Sequence, residues 1–432
     1  YNINTVDYQQ LRQKYPKFIY TKYSFQVVDD KLELEFYYQI PQDHAFVHKL
    51  TFENLHLVNT KIDESLVFHI GLAEMFSYWK TTCSPHIEIQ AGHLSPEQIT
   101  FWLKLLLKGM GQYFYENQID FTSPDFLTIT SSGPQLTACP SPTKNKSALV
   151  PIGGGKDSVV TAEILKDHYS IQPIIVYPAT PASKKVSTML TNKSPILAHR
   201  IFDKHMIEMN NQGYLTGHIP YSAILAFIFL LTTQIENIPY IAVSNERSSD
   251  ESNVTYLEQE INHQYSKSSE FETDLNVYIK SLGLNIAYFS FLRPLYEVQI
   301  ARLFSKMPQY FSVIRSCNKN QQQDSWCGQC PKCISIAMTL GPWVGEENIK
   351  KIFNGTNPLK DPQNQGIIHE MTDPTATKPF ECITTTEEAQ ICLEFIVKGQ
   401  TLRVKEFLSR WSDAPKTPPQ FLDILQKTYA NS

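Results

Sequence analysis

The chain has 432 residues, 42% of them hydrophobic and 19% charged, with a formal net charge of −5. Such a length exceeds one ordinary core and implies two or three domains of a soluble globular protein. The negative balance excludes a general electrostatic attraction to nucleic acid. No stretch reaches the ~20 apolar residues of a membrane span, and the longest candidate, residues 223–231, suits a buried helix. Four of the eight cysteines crowd into one short segment. A disulfide scaffold would be shorter and denser in cysteine, so one metal cluster in a reducing cytoplasm is expected.

Residues 1–145 read as an α+β domain. "KLELEFYYQI", Lys31–Ile40, alternates apolar and charged residues as a half-buried strand does. "VVDDK" before it predicts a hairpin turn that pairs it with "FIYTKYSFQVV". "TFENLHLV" predicts another strand, and "PEQITFWLKLLLKGMGQYFYEN" a long amphipathic helix capped by Ser95. "SSGPQLTACPSPTKNKS" reads as a linker. Residues 146–345 then carry the short apolar runs "ALVPI", "IQPIIVYP", "IPYIAVS" and "NIAYFSFL", separated by helical stretches. That pattern is an α/β domain, a parallel sheet with helices on both faces. Residues 346–432 form a small, mainly helical C-terminal segment: turn-rich "TNPLKDPQNQG" and "TDPTATKPF", then helical "TEEAQICLEFIVKG" and "RVKEFLSRW".

"PIGGGKDSVV" is the most specific stretch. A strand ending at residues 150–152 and a helix over 158–166 leave Gly153, Gly154 and Gly155 to expose backbone N–H groups at a helix N-terminus, an anion site. Lys156 adds charge and Ser158 a hydroxyl donor. A Walker loop fails because Asp157 follows the lysine, and a dinucleotide loop fails because Asp157 and Ser158 occupy its end. An ordinary strand–helix turn rarely carries three glycines followed by Lys-Asp-Ser. The stretch resembles the S-G-G-x-D-S loop of the PP-loop ATP pyrophosphatases, with Gly153 in place of the first serine. That resemblance implies an adenine-nucleotide α-hydrolase-like fold, cleavage of ATP between its α- and β-phosphates, and transfer of AMP to the substrate. It implies that backbone at the end of the next strand, Val176 and Tyr177, reads the adenine edge. Asp157 beside a polyphosphate calls for a cation between them, Mg²⁺.

Cys317, Cys327, Cys330 and Cys333 lie in "CNKNQQQDSWCGQCPKC". The C-x₂-C-x₂-C end gathers three thiolates and Cys317 closes a tetrahedron, a closed structural Zn²⁺ site, with an Fe–S cluster as the alternative. A similar cluster follows the PP-loop domain of the 7-cyano-7-deazaguanine synthases, where the zinc is structural. Cys83, Cys139, Cys382 and Cys392 are scattered and read first as small buried residues. "GHIPYSA" sets Gly217 and His218 before an apolar helix, and Ser244, Asn245, Glu246 and Arg247 follow an apolar strand. Strand ends are where open α/β sheets bind ligands. Arg293 follows another strand as an anion clamp.

These segments, together with "GLAEMFSYWK" at 71–80, "FLRPLYEVQIARLF", "WCGQCPKC" and "KPFECITT", resemble the MurL family, the UDP-N-acetyl-α-D-muramoyl-L-alanyl-L-glutamate epimerases. The resemblance implies that the terminal L-Glu of UDP-MurNAc-L-Ala-L-Glu is inverted with ATP and Mg²⁺ in peptidoglycan precursor biosynthesis. Lys156 and Asp157 serve the nucleotide, and His218, Glu246 and Cys382 are candidates for moving the proton. Arg247, Arg293 and Lys80 are candidate anchors for carboxylates and diphosphate. The expected partner is this small molecule, not nucleic acid or membrane. Two alternatives stay open: another adenylating PP-loop enzyme, such as a deazaguanine nitrile synthase or a tRNA-modifying enzyme, and a non-catalytic zinc-stabilised nucleotide-binding module.

Overall fold

The structure is a computed structural model that describes residues 7–137, 142–414 and 416–432. Its strands in chain order are β1 (Lys17–Val28), β2 (Lys31–Ile40), β3 (His44–Glu53), β4 (His86–Ile89), β5 (Thr128–Ser131), β6 (Ser147–Pro151), β7 (Ser170–Val176), β8 (Ile196–Ile201), β9 (Tyr240–Val243), β10 (Val254–Tyr256), β11 (Gln259–Ile261) and β12 (Ala287–Ser290). The chain divides into two units, each drawn from three stretches. The first comprises residues up to Asn145, Ile196–Pro239 and Thr255–Ile286, and the second Lys146–Pro195, Tyr240–Val254 and Ala287–Ser432.

In the first unit Asp29 and Asp30 adopt left-handed backbone, φ 47° and 59°. This two-residue turn matches the twist of the strands it joins, and β1 and β2 pair antiparallel across it. The pairing continues antiparallel through β3 to β8, while β4 and β5 add in parallel beyond β1. The expected strand "TFENLHLV" is corrected: only its first three residues are strand, the end of β3, and Asn54 at φ 64° turns the chain away. The expected long helix is two, Pro96–Gly109 and Gly111–Glu116, broken at Met110 where ψ reaches 10°. Ser95 caps the first through a capping box with Gln98. Behind the sheet lies helix Glu64–Glu74, buried along nearly its whole length. A side chain at Gly71 would begin 2.0 Å from the Tyr20 hydroxyl, so close backbone approach requires glycine there. Glu74 is fully buried and paired bidentately with Arg200 at 2.6 Å on each oxygen, with His48 at 3.4 Å. Burial alone would raise its pKa, but these partners hold it down at about 2.

In the second unit the four expected apolar runs form β6, β7, β9 and β12, in the order β12-β9-β6-β7, all parallel. The two units depart from a linear division at 145 and 345 in two respects. Residues 196–239 and 255–286 belong with the first unit, because β8 extends the antiparallel ladder of β3. Residues 346–432 are not separate: Ile383, Ile391, Phe395, Val404 and Phe407 share one apolar cluster with Tyr296, Val298, Ile334 and Met338. Phe421 stacks on Tyr169 with ring centroids 4.4 Å apart. Among the described residues no helix is long and apolar enough to cross a membrane. Part of the expected linker, including Cys139, lies outside the described residues.

Candidate functional site

β6 ends at Pro151, and helix Lys156–Leu165 begins two residues earlier than its sequence pattern suggests. Gly155 is its N-cap and supplies no side-chain oxygen, so the first-turn N–H groups have no cap of their own. Gly154 has φ 88°, a conformation that favours glycine. A side chain there would begin 2.7 Å from the Ser183 amide nitrogen, and one at Gly155 would begin 2.7 Å from Ser316 Oγ. Gly153 faces open space. The turn is therefore walled by Ser183 and Ser316 and open at its first glycine. Arg315 N donates to Gly154 O at 2.9 Å, and Ser158 Oγ to Gly155 O at 3.0 Å. The helix dipole and unmade N–H bonds favour an anion at this place.

Lys156 is fully buried, and its ammonium pairs with Asp157 and with Glu297, the first residue of helix Glu297–Phe304. Burial lowers its pKa, but the two carboxylates outweigh that and hold it charged. The other Glu297 oxygen is 3.6 Å from Lys332 Nζ. Lys332 Nζ in turn donates to Cys382 O at 2.5 Å, and its backbone N to Glu381 Oε2 at 2.9 Å. The Asp157 side chain is 23% exposed. Burial pushes its pKa up; Lys156 opposes that rise and the charge of Glu297 reinforces it. Glu388 is fully buried and accepts from Val298 N at 2.7 Å and Ser248 Oγ at 3.2 Å. Burial, then the charge of Glu297, pushes it up to about 8. Sequence reasoning missed Glu297, Lys332 and Glu388. The available signal was an acid in the first turn of each helix, alone at Glu297 and beside Glu387 at Glu388, and a lysine set between two cysteines.

At the ends of β9 and β12, Arg293 is 3% exposed. It bonds Glu246 O at 2.9 Å, Ser249 Oγ at 2.8 Å and Ser290 Oγ at 3.1 Å. These bonds brace the loops at the two strand ends. Asn245 Nδ2 donates to the same Ser290 Oγ at 3.1 Å. Glu246 is buried. The Arg247 guanidinium lies 4.7 Å over the Tyr296 ring and forms no ion pair among the described residues. The buried Ser244 hydroxyl makes no hydrogen bond among them. Val176 ends β7, and the Lys184 ammonium lies 5.4 Å from the Tyr177 ring that follows.

The sulfurs of Cys317, Cys327, Cys330 and Cys333 all lie within 4.8 Å of one another. Cys327–Cys333 is 3.8 Å and Cys330–Cys333 is 3.4 Å. Bonds of about 2.3 Å to a tetrahedral ion set sulfurs about 3.8 Å apart, so the four fit a single metal ion such as zinc. Backbone N–H groups of Asn320 and Cys327 point at Cys317 Sγ from 3.2 and 3.4 Å, and that of Gln329 at Cys327 Sγ from 3.4 Å. Such donors stabilise thiolate charge. Cys83 and Cys392 are buried, and Cys382 is half-buried.

His218 is not in the unit that holds the glycine turn. Its ring lies tilted against that of His263 in the first unit, centroids 4.4 Å apart, next to Gly217, whose carbonyl accepts from Lys80 Nζ at 3.0 Å.

Comparison with known families decides the lineage. The MurL N-terminal domain matches residues 9–291 and the MurL C-terminal domain residues 313–421. The chain belongs to the MurL family. A relative from Salinispora tropica is 32% identical over 78% of this chain and 72% of its own length. One from Micromonospora sp. is 30% identical over 78% and 74%, and one from Xanthomonas oryzae pv. oryzae 29% over 73% and 71%. Each is named UDP-N-acetyl-alpha-D-muramoyl-L-alanyl-L-glutamate epimerase. The MurL N-terminal match contains the glycine turn, Lys80 and His218. The C-terminal match contains the four cysteines, Lys332 and Cys382. Glu297 lies between the two matched spans, and joins the turn of one to the lysine of the other.

Proposed function

We propose that this MurL-family chain is an ATP-dependent epimerase that converts the terminal L-Glu of UDP-MurNAc-L-Ala-L-Glu to D-Glu, a step in building peptidoglycan precursors. The observation that carries the ATP reading is the uncapped helix N-terminus behind three glycines, open at Gly153. The name its relatives carry supplies the substrate.

The chemistry explains why an epimerase would need a nucleotide. Removing the α-proton beside a free carboxylate would build a dianion. In the proposed reaction the α-carboxylate attacks the α-phosphorus of ATP, pyrophosphate leaves, and an acyl-AMP forms. Its α-proton is far more acidic, because the charge left by deprotonation moves onto one oxygen that fixed donors can stabilise. A base takes the proton, an acid returns one to the opposite face, and water releases AMP and the inverted glutamate.

The backbone of Gly153, Gly154, Gly155 and the first helical turn would hold the phosphates, with the Ser158 hydroxyl at their edge and adenine against Val176 and Tyr177. The partly exposed Asp157 carboxylate fits a divalent cation, and Mg²⁺ would neutralise phosphate charge there. Lys156, buried under the turn, holds the Asp157 and Glu297 carboxylates in place rather than meeting phosphate. Arg247, the strand-end cation over the Tyr296 ring, serves as a carboxylate anchor. Of the proton candidates, Cys382 and Glu246 share the unit of the turn, and we assign the transfer to Cys382, tied through Lys332 to Glu297. A structural zinc on the four cysteines would fix the Lys332 segment. A cytoplasmic location fits the clustered thiols, which a reducing compartment keeps free for metal.

The test is turnover of UDP-MurNAc-L-Ala-L-Glu with ATP and Mg²⁺ in heavy water. The expected result is AMP, pyrophosphate, and deuterium at the glutamate α-carbon with a D-Glu terminus. ATP consumption with only protiated L-Glu recovered would overturn the epimerase reading in favour of another adenylating reaction.

A further inference from the structure

In the first unit, four basic side chains converge on one turn. Gly217 has φ 147°, and a side chain there would begin 3.2 Å from the Tyr113 ring, so the turn is built for glycine. It presents its carbonyl to Lys80 Nζ at 3.0 Å and sets His218 against His263. Tyr113 Oη donates to Lys80 O at 2.7 Å, and Asn117 Nδ2 to Thr216 O at 2.9 Å, so helix Gly111–Glu116 and the residue after it brace both sides. Gln112 Oε1 meets His263 Nδ1.

Two features of this cluster have no structural use. Lys80 is half-buried, yet among the described residues it has no carboxylate partner, only the Gly217 carbonyl. The half-buried His218 ring makes no hydrogen bond through either nitrogen among those residues. A half-buried cation without a counter-ion is costly unless a ligand supplies one. Burial holds the Lys80 pKa down at about 8. It holds His218 at about 3, with the charges of His263, Lys80 and Lys267 adding to the effect. The acid facing the turn is Glu116, whose Oε2 lies 3.5 Å from the start of a side chain at Gly217 and whose Oε1 accepts from Gln112 at 2.8 Å. The Lys80 ammonium supplies positive charge at the turn, and the neutral His218 ring an N–H donor.

We propose that Lys80, His218, His263 and Lys267 bind a diphosphate, and that in this enzyme it is the diphosphate of the nucleotide-linked substrate. The second clause rests on the epimerase reading; the first does not. A diphosphate offers several anionic oxygens to N–H donors on opposite sides, and its charge relieves the repulsion among the bases. The phosphates of ATP are the other source of this chemistry, and they have the glycine turn.

The test is calorimetric titration of the full chain with uridine diphosphate, without ATP. Lys80→Met and, as an independent loop variant, His218→Gln should each weaken binding by about tenfold or more. Lys104→Met, which removes a surface lysine paired with Glu270 and Asp274, should leave it unchanged. Excess ATP should not displace uridine diphosphate. In turnover, Lys80→Met should raise KM for the nucleotide-linked substrate with little change in kcat. The proposal is overturned if uridine diphosphate does not bind, if ATP displaces it, or if folded Lys80→Met and His218→Gln bind it as wild type does. Binding as expected, without deuterium incorporation in turnover, would keep the site and remove the epimerase reading.

Discussion

Lys156 and Glu297 form a buried ion pair that joins the first residues of two helices, the one behind the glycine turn and the one after β12. With Asp157 on the same ammonium and Lys332 on the other Glu297 oxygen, charges alternate from the turn to the metal-binding segment. Glu297→Gln leaves that ammonium one carboxylate short. Breaking a buried pair from one side costs about 3–5 kcal/mol. Chemical denaturation should show a loss of that order, with Lys156→Met/Glu297→Gln losing less than the two single variants summed. An unchanged denaturation midpoint for Glu297→Gln would show that the pair does not hold the helices.

Asp157→Ala tests the nucleotide reading. The residue lies in the first helical turn with its carboxylate partly open to solvent. We expect AMP and pyrophosphate formation to be abolished while near-native circular dichroism and melting are retained, since Lys156 keeps Glu297. Turnover at the wild-type rate would remove the turn from the chemistry.

The four cysteines predict about one equivalent of tightly bound metal per chain. Cys327→Ser should lower metal content, measured by elemental analysis, and lower stability with it, because site assembly contributes folding energy. Because Lys332 lies between Cys330 and Cys333, the same variant should slow AMP formation even where it stays folded. Wild-type metal content in Cys327→Ser would sink the four-thiolate site.

His69 gives a pH signature. Its Nδ1–H donates to Ser65 O at 2.6 Å, and its Nε2 accepts from the Tyr278 hydroxyl at 2.8 Å, which in turn accepts from Trp102 Nε1 at 2.8 Å. This donor chain fits only the neutral ring. Burial holds its pKa at about 4, against 6.5 when free. Above pH 6.5 both folded and unfolded rings are neutral and nothing is gained or lost. Between 6.5 and 4 only the unfolded chain takes the proton, so stability should fall by about 3 kcal/mol as acid is added, provided nothing else titrates there. His69→Gln should flatten that part of the stability profile, read by denaturant titration at stepped pH. An equally steep profile in the variant would assign the slope to other groups.

Local pattern made much of this legible. The alternation of β2, the aspartate turn, the Ser95 cap and the apolar runs of the parallel strands each announce themselves within a few residues. So do the glycine turn and the cysteine spacing. Long-range pairing left no such trace. Nothing near Lys156 says that its partner is Glu297, 141 residues on. The bonds of Arg293 to Glu246 O and Ser249 Oγ are equally hidden, because these oxygens come from another strand end. The Met110 break was hidden because its neighbours keep a helical rhythm.

The interleaving of the two units bears on how the chain is made. Neither unit is a contiguous length of polypeptide, and the first closes only when Ile286 is available. Until β8 is synthesised, the nascent β3 exposes a row of unsatisfied backbone groups on its outer side, a template for mispairing. A gene cut after residue 145 would make that hazard permanent. The family divides into an N-terminal and a C-terminal domain, but the N-terminal match already holds strands of both units, and the second unit is finished only once the C-terminal match has been made.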